Sequence, residues 1–185
     1  TERWGKALNQ SFVVENIGGA GGAIACQTTA RAPADGYTLL QGYVATHGTS
    51  PATRSKLPYD PIKDFTMVGM IGSTPNVLVV NAATPFKTFA ELVDHVRKNP
   101  GRLNYGYTHA ASGHMAMELF KLEGSKCAPS AKDCKGLFMV GIPYRGGGPM
   151  MSDLLGGQIP LMFINQDVAL QHVKAGKLRA LAVTS

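Results

Sequence analysis

The chain has 185 residues, 44% of them hydrophobic, enough to bury the core of one large or two small domains and too apolar for a disordered segment. Lysine and arginine number 18 against 12 aspartates and glutamates, a formal charge of +6, but they are scattered, with no arginine-rich run and no aromatic ladder beside them, which argues against a nucleic-acid surface. No apolar run approaches the roughly 20 residues that span a bilayer, so the modest positive field points to a small anion drawn into a cleft.

Residues 1–9 read as the tail of an amphipathic helix with no leader peptide before it, and the apolar run at 180–185 reads as a buried strand, so the chain is expected to be truncated at both ends. A strand at 12–15, a helix at 21–31 and a strand at 38–41 come next, then an irregular stretch through Pro58-Tyr-Asp-Pro61. Strands are predicted at 65–71 and 76–80. Between them, Gly72-Ser-Thr-Pro75 is either a hinge linking two lobes or a bend within one sheet. A helix at 88–98 opens on Thr88 with Glu91 three residues on, the pattern of a capping box. A strand at 103–107, a small-residue loop and a helix at 114–123 follow, with Met115, Leu119 and Leu122 on one helical face and Thr108 or Ser112 as the N-cap. The remainder alternates: strand 137–142, helix 148–155, strand 159–163, helix 166–174, strand 178–183. This alternation predicts an α/β protein with mostly parallel strands buried on both faces and a ligand at their carboxyl ends.

Cys127 and Cys134 bracket a polar insert, which reads as a loop-closing disulfide of an oxidising compartment or as two unpaired thiols. A lone Cys-x6-Cys pair without matching histidines is a poor zinc site, and Cys26, in a small-residue helix, reads as a buried free thiol.

The loop from Thr108 through His109, Ala110, Ala111, Ser112 and Gly113 to His114 joins a strand to a helix start, where unpaired amides and the positive end of the macrodipole can hold a carboxylate or phosphate. The plain alternative is that Ser112 only caps its helix. Asn16-Ile-Gly-Gly-Ala-Gly-Gly22 fails the spacing of both a dinucleotide turn and a P-loop, so tight packing is its better reading. Thr46 and His47 could donate to a ligand or belong to a capped turn. Arg145 could fork onto a carboxylate or stand exposed beside its glycines. Asn165 and Gln166 offer amides after a strand, and Asp167 is an alternative cap for the next helix. No G-x-S-x-G elbow, no His-Glu-x-x-His motif and no pair of cleft carboxylates is present; only a grouping of His47, His109, His114 and Asp167 would offer acid and base chemistry. Binding without turnover, and without a metal or cofactor, fits better.

Several longer motifs extend the reading: Glu15-Asn-Ile-Gly-Gly-Ala-Gly-Gly22, Asp35-Gly-Tyr-Thr-Leu-Leu40, Lys56-Leu-Pro-Tyr-Asp-Pro61, Lys63-Asp-Phe65, Ser73-Thr-Pro-Asn-Val-Leu-Val-Val80, Pro100-Gly-Arg-Leu-Asn-Tyr105, Ile142-Pro-Tyr-Arg-Gly146, Asp153-Leu-Leu-Gly-Gly-Gln158 and the run from His172 to Ser185. Together, and over nearly the whole chain, these resemble the receptors of tripartite tricarboxylate transporters, the Bug family of extracytoplasmic solute-binding proteins. The resemblance implies a type II-like periplasmic binding protein with strands crossing between two lobes. Residues 1–75 would belong to the first lobe, without its first strand, and 76–185 to the second lobe and the start of the return. It implies a small carboxylate ligand, gripped by the loops carrying Thr46-His47, Thr108 to His114 and Asn165-Gln166, and delivery to membrane permease subunits. A monomer is expected. Ile164-Asn-Gln departs from the family's small polar residue followed by Asn, and Tyr107-Thr-His-Ala-Ala from its more Ser/Gly-rich loop; the bulkier Tyr107 and His109 suggest a pocket for a less ordinary substrate such as an aromatic acid. The alternatives are a hydrolase or isomerase using the histidine grouping and the effector-sensing domain of a regulator.

Overall fold

A computed structural model of the chain describes residues 2–126 and 136–184. The predicted Cys127–Cys134 pairing lies outside the described residues. Five strands form one sheet: β1 (Asn76–Asn81), β2 (Asn104–Thr108), β3 (Val140–Tyr144), β4 (Leu161–Asn165) and β5 (Leu178–Val183), in the order β3-β2-β4-β1-β5. β2 is parallel to β3 and β4, whereas β1 is antiparallel to both β4 and β5, so four strands run one way and β1 runs against them. The expectation of a mostly parallel sheet therefore holds except at β1.

The central strands read as continuous apolar runs because both of their faces are covered. Alternation sorts the side chains. Leu78, Val80, Leu161 and Phe163 face a core completed by Leu92 and Val96 of α4 (Phe89–Lys98) and Met117 of α5 (Ser112–Gly124). Val77, Val79, Met162 and Ile164 face the opposite core, closed by Met150 and Leu154 of α6 (Gly147–Leu155) and Ala169 of α7 (Gln166–Lys174). Each such side chain contributes about 1.5–3 kcal/mol of burial.

The predicted capping box of α4 is formed in altered shape: Thr88 Oγ1 accepts from the Glu91 amide at 3.2 Å, while the Glu91 carboxylate accepts from the amide of Lys87, one residue before the cap. The predicted face of α5 is corrected. Leu119 and Leu122 are exposed, and the helix packs through Met117, with Ala116 and Phe120 beside it. Gly113 sets this orientation, because a Cβ there would run into the carbonyl oxygen of Phe163 on β4, so only a glycine lets the helix lie this close to the strand.

All five strands lie within residues 76–183. The segment before them contains α1 (Glu2–Leu8), a tight turn at Ala20–Gly22, α2 (Ala23–Ala30), a π-helical turn at Val44–Thr49 and α3 (Ser50–Thr53). The strands predicted at 12–15, 38–41 and 65–71 are not formed. Their apolar side chains are largely in solvent, Val13 at 86% and Met70 at 88% exposure, because no neighbouring strand among the described residues supplies a ladder. A small cluster of Ala23, Cys26 and Tyr59 holds this segment together, and Cys26 is the buried free thiol expected of it.

Asn76, where β1 begins, pairs with Asn165 at the carboxyl end of β4, and Thr184, just past β5, exchanges two hydrogen bonds with Asn76 at 3.0 and 3.1 Å. The chain therefore enters and leaves the sheet at the edge where β2, β3 and β4 end.

Candidate functional site

Thr108 pairs with Tyr144 at the carboxyl ends of β2 and β3, with the end of β4 alongside. From this edge α5, α6 and α7 start. Their N-cap residues are Ala111, Gly146 and Asn165, and none provides a side-chain cap, in contrast to Thr88 at the start of α4. Three helix N-termini at one sheet edge thus present amides without a side-chain cap, at the positive ends of their dipoles. The predicted caps are corrected accordingly. Ser112 is the first helical residue and donates to Asn76 Oδ1 at 3.2 Å; Asp167 lies in the first turn of α7 without capping it. The amide of Gln166 donates to the Pro75 carbonyl at 3.0 Å, which ties α7 to the segment leading into β1.

The 108–114 loop is shaped by Ala110, fully buried with a left-handed φ of 61°, whose amide donates to His114 Nδ1 at 3.3 Å. That bond leaves the proton of a neutral imidazole on Nε2. The ring of His114 stacks on Tyr107 at 4.3 Å and 19°, with the His109 ring 5.8 Å away. Burial pulls the His114 imidazole below its ordinary 6.5, helped by His109 and Lys121 and opposed by Glu118.

Thr46 and His47 serve their own turn. The buried Thr46 hydroxyl donates to the Tyr43 carbonyl and accepts from the Tyr43 amide, both at 3.0 Å, and lies 2.9 Å from His47 Nδ1. Its carbonyl accepts from the Tyr59 hydroxyl at 2.6 Å, and that hydroxyl is pushed up to about 12 by burial and the nearby Cys26 thiol. His47 packs on Phe65 at 5.0 Å and Tyr59 at 6.3 Å, and burial lowers its pKa. Neither side chain bonds to the 108–114 loop. Their neighbour does: the Thr49 hydroxyl donates to the Ala110 carbonyl.

A cleft of about 660 Å³ opens between the glycine turn and the start of α6, lined by Gly18, Gly19, Ala20, Ile24, Arg145, Gly146 and Pro149. Arg145 has no carboxylate partner within 4 Å among the described residues. The turn read as packing is thus also a cleft wall, and the run of four glycines with one alanine at 18–22 was the signal for it. Gly21, with φ at 64°, brings the turn against the 108–114 loop: a Cβ there would lie 2.9 Å from the His109 carbonyl oxygen and 3.6 Å from Arg54 Nη2. Arg54 donates to the Ala20 carbonyl at 2.9 Å. Its part in the seam carried no signal in the sequence beyond a cation following Ser50-Pro-Ala-Thr53.

Of the histidine grouping, the structure brings His109 and His114 together and holds His47 apart in its aromatic cluster. Among the described residues no three His, Cys, Asp or Glu side chains are placed to hold a metal ion, and no helix is long and apolar enough to cross a membrane.

Over residues 1–185 the chain matches the family described as "Tripartite tricarboxylate transporter family receptor". It is 34% identical over 181 residues to protein BugT of Bordetella pertussis, covering 97% of this chain and 52% of BugT. Among solved structures, Rpa4515 of R. palustris with adipate is 34% identical with a TM-score of 0.91, matching 100% of this chain and 58% of that one. MatC from Rhodopseudomonas palustris with bound malate is 29% identical with a TM-score of 0.82, over 98% of this chain and 58% of that one. The chain spans about half the length of the curated relatives it matches.

Proposed function

Because the chain belongs to the tripartite tricarboxylate transporter receptor family, with the two-lobed, type II-like α/β fold of its solved members, we propose that its protein captures a small carboxylate in the periplasm and delivers it to membrane permease subunits. The observation that carries this reading is the set of N-termini of α5, α6 and α7, none with a side-chain cap, at one sheet edge, with a glycine turn across a cleft from the start of α6. Such an edge is rich in fixed N–H donors, the chemistry that recognises an anion without turning it over. The ligand face comprises the backbone of Thr108 to His114, Arg145 and the Asn165-Gln166 step. Thr46 and His47 hold the opposite wall in shape.

In this reading the lobes divide near residue 75, with Gly72-Ser-Thr-Pro75 as a connection between them. Relatives with bound adipate and malate favour an aliphatic dicarboxylate, while the Tyr107–His114 stack is what an aromatic acid would use. The family is one of receptors, which supports capture over turnover; of the histidine grouping, His109 and His114 are in contact while His47 packs on Phe65.

Thermal-shift titration of the full-length protein tests the proposal. Adipate, malate or an aromatic acid at 100 times its Kd is expected to raise stability by about 2.7 kcal/mol, seen as a higher melting midpoint. Flat melting curves across di-, tri- and aromatic carboxylates would refute it.

A further inference from the structure

Three side-chain atoms at the seam between the N-terminal segment and the sheet are buried with no hydrogen-bond partner: Ser50 Oγ, Arg54 Nε and Thr108 Oγ1. Ser50 is 1% exposed and Thr108 9%. They lie on segments that touch one another. The Arg54 amide donates to the Ser50 carbonyl at 3.0 Å, the Thr49 hydroxyl reaches the Ala110 carbonyl two residues beyond Thr108, and Arg54 Nη2 and the His109 carbonyl both crowd Gly21.

The chemistry of the locus is one-sided. Arg54 Nε can only donate, and both hydroxyls can donate. The nearby Ala20 carbonyl already accepts from Arg54 Nη2 and from the Ala23 amide, and the Ala110 carbonyl accepts from the Thr49 hydroxyl. A buried donor left without an acceptor is costly, and a guanidinium N–H more so than a hydroxyl. What satisfies all three is an acceptor bearing negative charge.

We infer that Ser50, Arg54 and Thr108 form a subsite for a second carboxylate, so that Arg54 selects dicarboxylates over monocarboxylates. This rests on the carboxylate-receptor reading above. The first carboxylate lies on the helix N-termini of the sheet edge, and the second bridges the seam to Arg54. Its guanidinium is anchored at Nη2 by the Ala20 carbonyl, and because the group is planar this bond also constrains the direction of the Nε–H.

Calorimetry on the full-length protein with succinate and adipate, each against butyrate and hexanoate, tests this. The wild type is expected to bind at least one diacid ten- to a hundred-fold more tightly than the monoacid of equal length. Arg54→Gln is expected to remove that preference while leaving monoacid affinity within about threefold. Thr108→Val, which keeps the shape and deletes one orphan hydroxyl, is expected to weaken diacid binding with an unchanged or higher melting midpoint of the unliganded protein. Equal loss for diacid and monoacid in Arg54→Gln, or a lowered midpoint in Thr108→Val, would assign these residues a structural role and overturn the inference. Undiminished diacid affinity in Arg54→Gln would mean that water alone fills the subsite. If the wild type binds diacid and monoacid alike, the inference fails while the receptor reading stands; if it binds no carboxylate, both fail.

Discussion

His114 shows how one side chain can serve two partners at once. Its Nδ1 accepts from the Ala110 amide, holding the loop in its left-handed bend, and its face covers Tyr107. The Nδ1 bond and the ring's burial favour the neutral form. The folded protein holds the His114 and His47 imidazoles below 6.5, so between the folded and unfolded values the unfolded chain binds more protons. Their contribution to stability is complete above about pH 6.5 and is lost as the pH falls through the folded values. Denaturant melts from pH 8 to 5 are expected to show this loss, and His114→Asn, which can keep an acceptor near Nδ1 without titrating, is expected to flatten it. A slope unchanged in the variant would remove His114 from the account. From sequence, His114 was legible as a loop residue at a helix start, but its acceptor role was not, because it depends on the Ala110 bend. Thr46 and His47 were legible as a polar pair after an apolar run, although the strand expected there is not formed. That Thr46 bonds back to Tyr43, and that His47 is enclosed by Tyr59 and Phe65, follows from a π-helical turn that no residue spacing announces.

Among the elements, α4 and α5 mark what a linear pattern can and cannot show. The start of α4 is local, written in Thr88 and Glu91, and its buried Leu92 and Val96 follow at helical spacing. For α5, the predicted stripe of Met115, Leu119 and Leu122 is apolar, yet Leu119 and Leu122 point to solvent and Met115 is only half-buried, while the packed face is led by Gly113 and Met117. Size complementarity to β4 overrides hydrophobicity there, and a glycine contributes nothing to a hydrophobic pattern. Gly113→Ala is expected to destabilise the fold by about 1–3 kcal/mol, since the added methyl must displace backbone rather than a mobile side chain. Chemical denaturation measures this directly, and a loss below about 0.5 kcal/mol would show that the helix can shift away freely. The segments at 12–15, 38–41 and 65–71 failed as strands for a related reason: β-propensity describes fitness for a sheet and cannot supply the neighbouring ladder.

For the molecule as a whole, the βα alternation made the sheet and its flanking helices legible, and with them the edge where the strand-to-helix loops gather, since parallel strands place every such loop on one side. The reversed direction of β1 was not legible. Strand direction depends on which edge the chain comes in by, and here it comes in beside Thr184, through which it also goes out. The same edge meets the N-terminal segment backbone to backbone at Gly21, where only a hydrogen atom fits beside the His109 carbonyl. Gly21→Ala is expected to cost about 1 kcal/mol in stability from its positive φ and to weaken carboxylate binding about tenfold by propping the seam open. Unaltered affinity in calorimetry would contradict that.

The narrowness at Gly21 has a mechanical corollary. Where two surfaces abut through bare main chain, there is no compressible cushion of side chains between them, so their approach ends at a hard stop. One methyl group acts there as a shim, so substitution can widen the gap but hardly narrow it.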